Sequence, residues 1–130
     1  MKIAIPTKDW TSVSGHAGQA RHWLVYDLAG TTAGAALPQP GRVELAKSQV
    51  FHHFQDDGPH PLDGVELVIA GSAGDGFVRH MKTRGAEVVL TGEADPATAL
   101  AKIIAGETLP DPRFDITTSL CKLRDLFSRH

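Results

Sequence analysis

Val65-Glu66-Leu67-Val68-Ile69-Ala70, running into Gly71-Ser72-Ala73-Gly74, is the stretch that sets the fold. A single glutamate interrupts an otherwise apolar run of the kind found in strands covered on both faces, and the glycines after it mark a tight turn. Before this run the chain reads as closely spaced strands; after it, as alternating helix and strand. Residues 2–6 are an apolar strand ended by Pro6, residues 22–28 a second rich in Trp23, Val25 and Tyr26, and residues 31–37 a third after Gly30. Their short spacing favours an antiparallel meander.

Residues 43–54 then set Val43, Ala46, Val50 and Phe54 at helical spacing, which predicts a first helix between the meander and the buried strand. Downstream, Phe77, Val78 and Met81 mark a second helix closed by Gly85, followed by a strand over 87–90. Asp95-Pro96 caps a third helix carrying Leu100, Ile103 and Ile104 and ending at Gly106. The resulting order, β-β-β-α-β-α-β-α, defines an α/β fold with a ribonuclease H-like mixed sheet: a three-stranded antiparallel meander followed by αβαβα. The first strand is expected at the centre, antiparallel to the second and parallel to the strand over 65–70. Leu109-Pro110-Asp111-Pro112 breaks the pattern, and Leu120, Leu123 and Phe127 predict an appended C-terminal helix. A domain over 1–108 and an extension over 109–130 follow, with the glycine- and proline-rich residues 30–41 as a loose connection.

With 130 residues, 42% of them hydrophobic, the chain is sized for one domain with a core that needs no disulfide staples or cofactor to fold. A net charge of −2 gives no basic footprint for nucleic acid. No apolar run reaches membrane-spanning length and no signal-peptide core precedes the first strand, so a cytoplasmic, membrane-free protein is expected. The single cysteine, Cys121, cannot supply the four thiolates of an ordinary iron-sulfur cluster, and beside Leu120 and Leu123 it reads as a buried small hydrophobe.

Chemistry concentrates in two places. Ser14-Gly15-His16-Ala17-Gly18-Gln19-Ala20-Arg21 sets a histidine between glycines in the loop joining the first two strands. Gly15 and Gly18 allow a sharp turn and close backbone approach, and a neutral imidazole is a metal ligand. The blander reading is an exposed loop histidine. The second place is Phe51-His52-His53-Phe54-Gln55-Asp56-Asp57-Gly58-Pro59-His60-Pro61, with three imidazoles at the end of the first predicted helix. His52 and His53 fit a capping role that complements the helix dipole, whereas His60, held between prolines in an extended loop, is the better metal-ligand candidate. His80 reads as a helix-surface or packing residue. Catalysis finds little support: the first strand has no carboxylates for a two-metal nuclease site, and neither a nucleophile elbow nor a P-loop is present.

The histidine loop, the 65–74 run and Gly85-Ala86-Glu87-Val88-Val89-Leu90 fall in the order seen in the dinitrogenase iron-molybdenum cofactor biosynthesis family, which includes NifX, NafY and the C-terminal part of NifB. The first loop resembles that family's S-x-H-F-G-x-A, with Ala17 in place of the phenylalanine; the second resembles its strand and G-G-x-G turn, with Ser72 in place of the second glycine. The similarity spans about residues 1 to 108. It implies a non-catalytic, NifX-like carrier or store for the iron-molybdenum cofactor or a related Fe-S or Mo-S cluster, with His16 as a labile ligand and with donor and acceptor proteins of cofactor biosynthesis as partners. In that reading Gly15, Gly18, Arg21, Gly71, Ser72, Ala73 and Gly74 line the cluster, and the amides at the strand-to-helix junction favour its negative charge. The other class open to the sequence is a mononuclear metal-binding or regulatory module built on His52, His53 and His60.

Overall fold

A computed structural model describes residues 1–28, 37–54 and 58–104. They form one five-stranded mixed sheet and two α-helices, an α/β arrangement. The strands are β1 (Lys2–Thr7), β2 (His22–Asp27), β3 (Gly41–Glu44), β4 (Val65–Ala70) and β5 (Glu87–Leu90), in the spatial order β3-β2-β1-β4-β5. β1 is central. It pairs antiparallel with β2, from Lys2 opposite Asp27 to Thr7 opposite His22, and parallel with β4, where Ile3 faces Leu67 and Ala4 faces Val68.

Both faces of the sheet are buried, as the apolar run of β4 requires. On one face Ile3, Ile5, Leu24, Tyr26, Leu67, Ile69 and Val89 pack with Ala99, Leu100 and Ile103 of α2 (Pro96–Ile104). On the other, Ala4, Trp23, Val68, Ala70, Val88 and Leu90 pack with Phe77 and Met81 of α1 (Asp75–Thr83), joined by Leu45, Val50 and Leu62. Each fully buried aliphatic side chain contributes roughly 1.5–3 kcal/mol of transfer free energy. The alternation along β4 splits its side chains between the two cores.

The helix boundaries follow local chemistry. Gly85, at φ 88°, takes the left-handed position that ends α1, and the Ala86 N–H then donates to Met81 O at 2.8 Å. At the start of α2 the Asp95 carboxylate accepts the Thr98 N–H at 2.8 Å and the Thr98 hydroxyl at 2.6 Å. No described helix is long and apolar enough to cross a membrane.

Among the described residues the strand that follows β2 is Gly41–Glu44; of the stretch expected as the third strand, Leu37 is outside any strand and residues 31–36 lie outside the described residues. The helix expected over 43–54 is absent. Val43 instead pairs with Trp23 in the sheet, Leu45 is buried one alternation further on, and the chain then makes a 3-10 turn, Lys47–Gln49, and a further hydrogen-bonded turn over 51–53. Val43, Ala46, Val50 and Phe54 match a helical period, but Arg42 and Glu44 are exposed on either side of half-buried Val43, a strand alternation. The proline breaker, the C-terminal helix, Cys121 and Gly106 lie outside the described residues.

Candidate functional site

Because β1 and β4 are parallel neighbours, the loops that leave their C-terminal ends emerge side by side. The β1–β2 loop is built in two steps. Near its start the Asp9 carboxylate accepts the N–H groups of Thr11 (3.0 Å) and Ser12 (2.9 Å) and the Ser12 hydroxyl (2.9 Å), which holds its pKa well below the usual carboxylate range. The chain then folds back, with the Val13 N–H on Ala94 O at 2.8 Å and the Ser14 N–H on Pro6 O at 2.9 Å.

This return lays Ser14, Gly15 and His16 against the turn after β4. The Gly71 N–H donates to Ser14 O at 2.9 Å, the His16 N–H to the Ser72 hydroxyl oxygen at 2.7 Å, and the Ala17 N–H to Ser72 O at 3.1 Å. The close approach explains two glycines. A Cβ on Gly71 would stand 3.3 Å from Ser14 O, and one on Gly15 only 2.5 Å from Ser72 Oγ. Gly18 is not forced in this way, since a Cβ there would meet Phe77 at an ordinary 3.6 Å. His16 is exposed and takes the left-handed conformation (φ 53°, ψ 51°), uncommon for a residue with a side chain.

A third segment joins the loop where the His52 N–H donates to Gly18 O at 2.7 Å. The three segments enclose a cavity of about 410 Å³, within the range of roughly 300–1,000 Å³ typical of ligand pockets. His16, Gly18 and Gln19 form one wall, Phe51 and His52 a second, and Gly74, Gly76, Phe77 and His80 the third. Arg21 stands outside it, with its Nε–H on Leu45 O at 3.3 Å, and lines two neighbouring concavities, one shared with Lys8 and His16 and the other with Lys47, His52 and His53. Ala73 packs against the α1-side core. Asp75 places a carboxylate in the first turn of α1, opposing the positive end of its dipole.

The histidine-rich segment divides. His52 lines the cavity with His16, and His53 opens onto the Arg21 and Lys47 concavity. His60, in the loop before β4, is buried and stacked on Phe51 with ring centroids 4.3 Å apart. Its Nε2–H donates to Gln49 O at 2.7 Å and its Nδ1 accepts the Leu62 N–H at 3.1 Å, so both ring nitrogens are engaged by the backbone. Burial lowers its pKa and keeps the ring neutral, in keeping with a structural role. Among the described residues no three His, Cys, Asp or Glu side chains come together as a group able to hold a metal ion.

His80, read from sequence as a helix-surface or packing residue, borders the cavity, and its Nε2 is buried without a hydrogen-bond partner among the described residues. Its position three residues after the buried Phe77, on the same helical face, is the signal that could have placed it there.

The profile of the dinitrogenase iron-molybdenum cofactor family matches residues 1–106, and the chain belongs to that family. Curated proteins give no significant match. Among solved structures it is similar to a protein described as a candidate NifB from Thermotoga, with 22% identity over 88% of this chain and 96% of that one and a TM-score of 0.57. It is similar to a candidate dinitrogenase from Methanocaldococcus jannaschii, with 13% identity over 82% and 90% of the two chains and a TM-score of 0.58. It is also similar to the apo form of the orange protein of Desulfovibrio gigas, with 15% identity over 84% and 90% and a TM-score of 0.56. At these identities the likeness is one of fold.

Proposed function

We propose that the protein is a non-catalytic carrier or store for the iron-molybdenum cofactor or a related metal-sulfur cluster, held by labile histidine ligands. The observation that carries this reading is the cavity bordered by His16, His52 and His80, one from each of three chain segments. Membership of the iron-molybdenum cofactor family supports the class of cargo.

The chemistry fits a cargo that must be given up again. Neutral imidazoles bind metal but exchange more readily than a cage of thiolates, and protons compete for them. A few ligands on separate segments can let go one at a time. His16 is the foremost ligand, because its strained backbone projects an exposed ring beside the cavity. His52 joins it; His53 and His60 do not, since one opens elsewhere and the other is held in the core. Gly15, Gly71 and Ser72 act by bringing the loops together, Gly18 and Gly74 by shaping the walls, and Arg21 by adding positive charge nearby. In this reading the strand order is that of a ribonuclease H-like sheet whose expected first helix is reduced to a 3-10 turn and a further hydrogen-bonded turn. Residues 1–108 are the cluster-binding domain and 109–130 an extension to it. The protein works in the cytoplasm between donor and acceptor proteins of cofactor assembly.

Protein purified anaerobically is analysed for iron, molybdenum and acid-labile sulfide. Iron or molybdenum together with sulfide, lost in His16→Ala while the variant melts at the temperature of the empty wild type, supports the reading. A single metal without sulfide would instead favour a mononuclear metal-binding module.

A further inference from the structure

His80 borders the cavity, and its Nε2 is buried with no hydrogen-bond partner among the described residues. Native proteins satisfy nearly all buried polar atoms, and an exception calls for an explanation. Whichever tautomer the ring adopts, Nε2 is either a donor without an acceptor or a lone pair without a donor. The ring is wedged against Phe51 (centroids 5.6 Å apart, planes at 62°) and Phe54 (6.3 Å, 79°), neither of which offers a conventional hydrogen bond. His60, which shares the same aromatic cluster, has both ring nitrogens satisfied. The family's histidine loop does not include this position.

We infer that His80 is a stowed ligand: in the empty protein its Nε2 rests against the aromatic cluster, and on loading the ring turns into the cavity and binds a cluster metal opposite His16. This rests on the carrier reading above and adds to it a ligand from α1. The unsatisfied nitrogen disfavours the empty state and gains its partner only when the cargo arrives. Loading thereby gives Nε2 the partner it lacks in the empty protein. For each imidazole that binds an iron, one terminal thiolate carried by the incoming cluster leaves and is protonated by solvent; no electron is transferred.

The probe is the synthetic cluster [Fe4S4(SEt)4]2−, whose ethanethiolates exchange, titrated anaerobically into wild type, His16→Ala and His80→Phe. His80→Phe keeps a ring of similar shape but removes both nitrogens. The expected result is a melting temperature of the empty variant equal to or above wild type, with affinity for the probe falling roughly tenfold to a hundredfold, the scale of losing a well-placed supporting group. In ¹⁵N spectra of the wild type the His80 Nε2 signal should move on loading. If His80→Phe binds as wild type does while His16→Ala does not, the stowed ligand is overturned and the carrier reading stands. If the variant fails to fold, an Nε2 signal that stays in place on loading of the wild type overturns it equally. If wild type does not take up the probe, both are overturned.

Discussion

The Ser72 hydroxyl oxygen lies 2.7 Å from the His16 backbone nitrogen and accepts its hydrogen, joining the turn after β4 to the histidine loop after β1. Ser72 stands where the family pattern has a glycine. The extra oxygen gives His16 a fixed anchor, and it occupies the space that any side chain at Gly15 would need.

Gly15→Ala should therefore be destabilising, by about 1–3 kcal/mol on the scale of overpacking in a tight contact. In a Ser72→Ala background most of that cost should vanish, because the next atoms, Ser72 Cβ and N, lie at ordinary distances of 3.5 and 3.6 Å. A double-mutant cycle by chemical denaturation measures the coupling. Simple additivity would contradict the contact.

His16→Gly separates strain from ligation. A left-handed L-residue costs roughly 1–2 kcal/mol, partly offset by the greater freedom of glycine in the unfolded chain. The variant should be as stable as wild type or up to about 1 kcal/mol more stable, yet lose cluster binding. Retained affinity would remove His16 as a ligand.

His60 predicts a pH dependence of stability rather than of binding. Its folded pKa is lowered by burial, so the unfolded state takes up the proton first as pH falls. This contribution to stability is fully present above the unfolded value of about 6.5 and declines as pH drops through the lower folded value. His60→Gln should flatten this part of the stability profile, cost about 1–3 kcal/mol through hydrogen bonds left unmade, and leave cargo affinity intact. Weakened binding in a folded His60→Gln protein would return His60 to the ligand set.

His52 and His53 are adjacent in sequence but should behave differently. His52→Gln is expected to weaken cluster binding, and His53→Gln to leave it within twofold of wild type, since only His52 borders the cavity with His16. Each substitution should change stability by no more than about 0.5 kcal/mol, as expected of exposed positions. Equal effects on binding would mean that the cavity is not the site.

Asp95→Ala tests the cap of α2. It should cost about 1 kcal/mol by removing the acceptor for the Thr98 amide. The Thr98 hydroxyl and amide hold the Asp95 carboxyl below its usual range, so in wild type this contribution is present above the ordinary carboxylate value and is lost as pH falls through the lower folded one. The variant's acid unfolding curve should lack that component.

The sequence made the frame legible wherever one local signal dominated. The buried run of β4 and strand β5 stand where expected, and the caps at Gly85 and Asp95 end and begin their helices as their chemistry dictates. The meeting of the two loops was also legible, because it follows from placing β1 between an antiparallel and a parallel neighbour. The segment before β4 was not. Its apolar spacing fits two periods, and the choice was made by tertiary pairing of Val43 with Trp23, which no local signal encodes. Within the site, the burial of His60 was not legible because flanking prolines say nothing about burial, which the stacked ring of Phe51 provides. His80 was read only as a helix-surface or packing residue because the cavity it borders exists only once three separate segments have come together.

The central position of β1 has one more consequence. The β1–β2 loop bearing His16 and the turn and helix bearing Gly71 and His80 belong to the two halves of the sheet, joined along the seam between β1 and β4. On the proposed carrier reading, a cargo gripped from both sides would bolt that seam shut and raise resistance to unfolding by RT ln(1 + [L]/Kd). Loaded and empty molecules would then differ in how readily the seam opens to a protease.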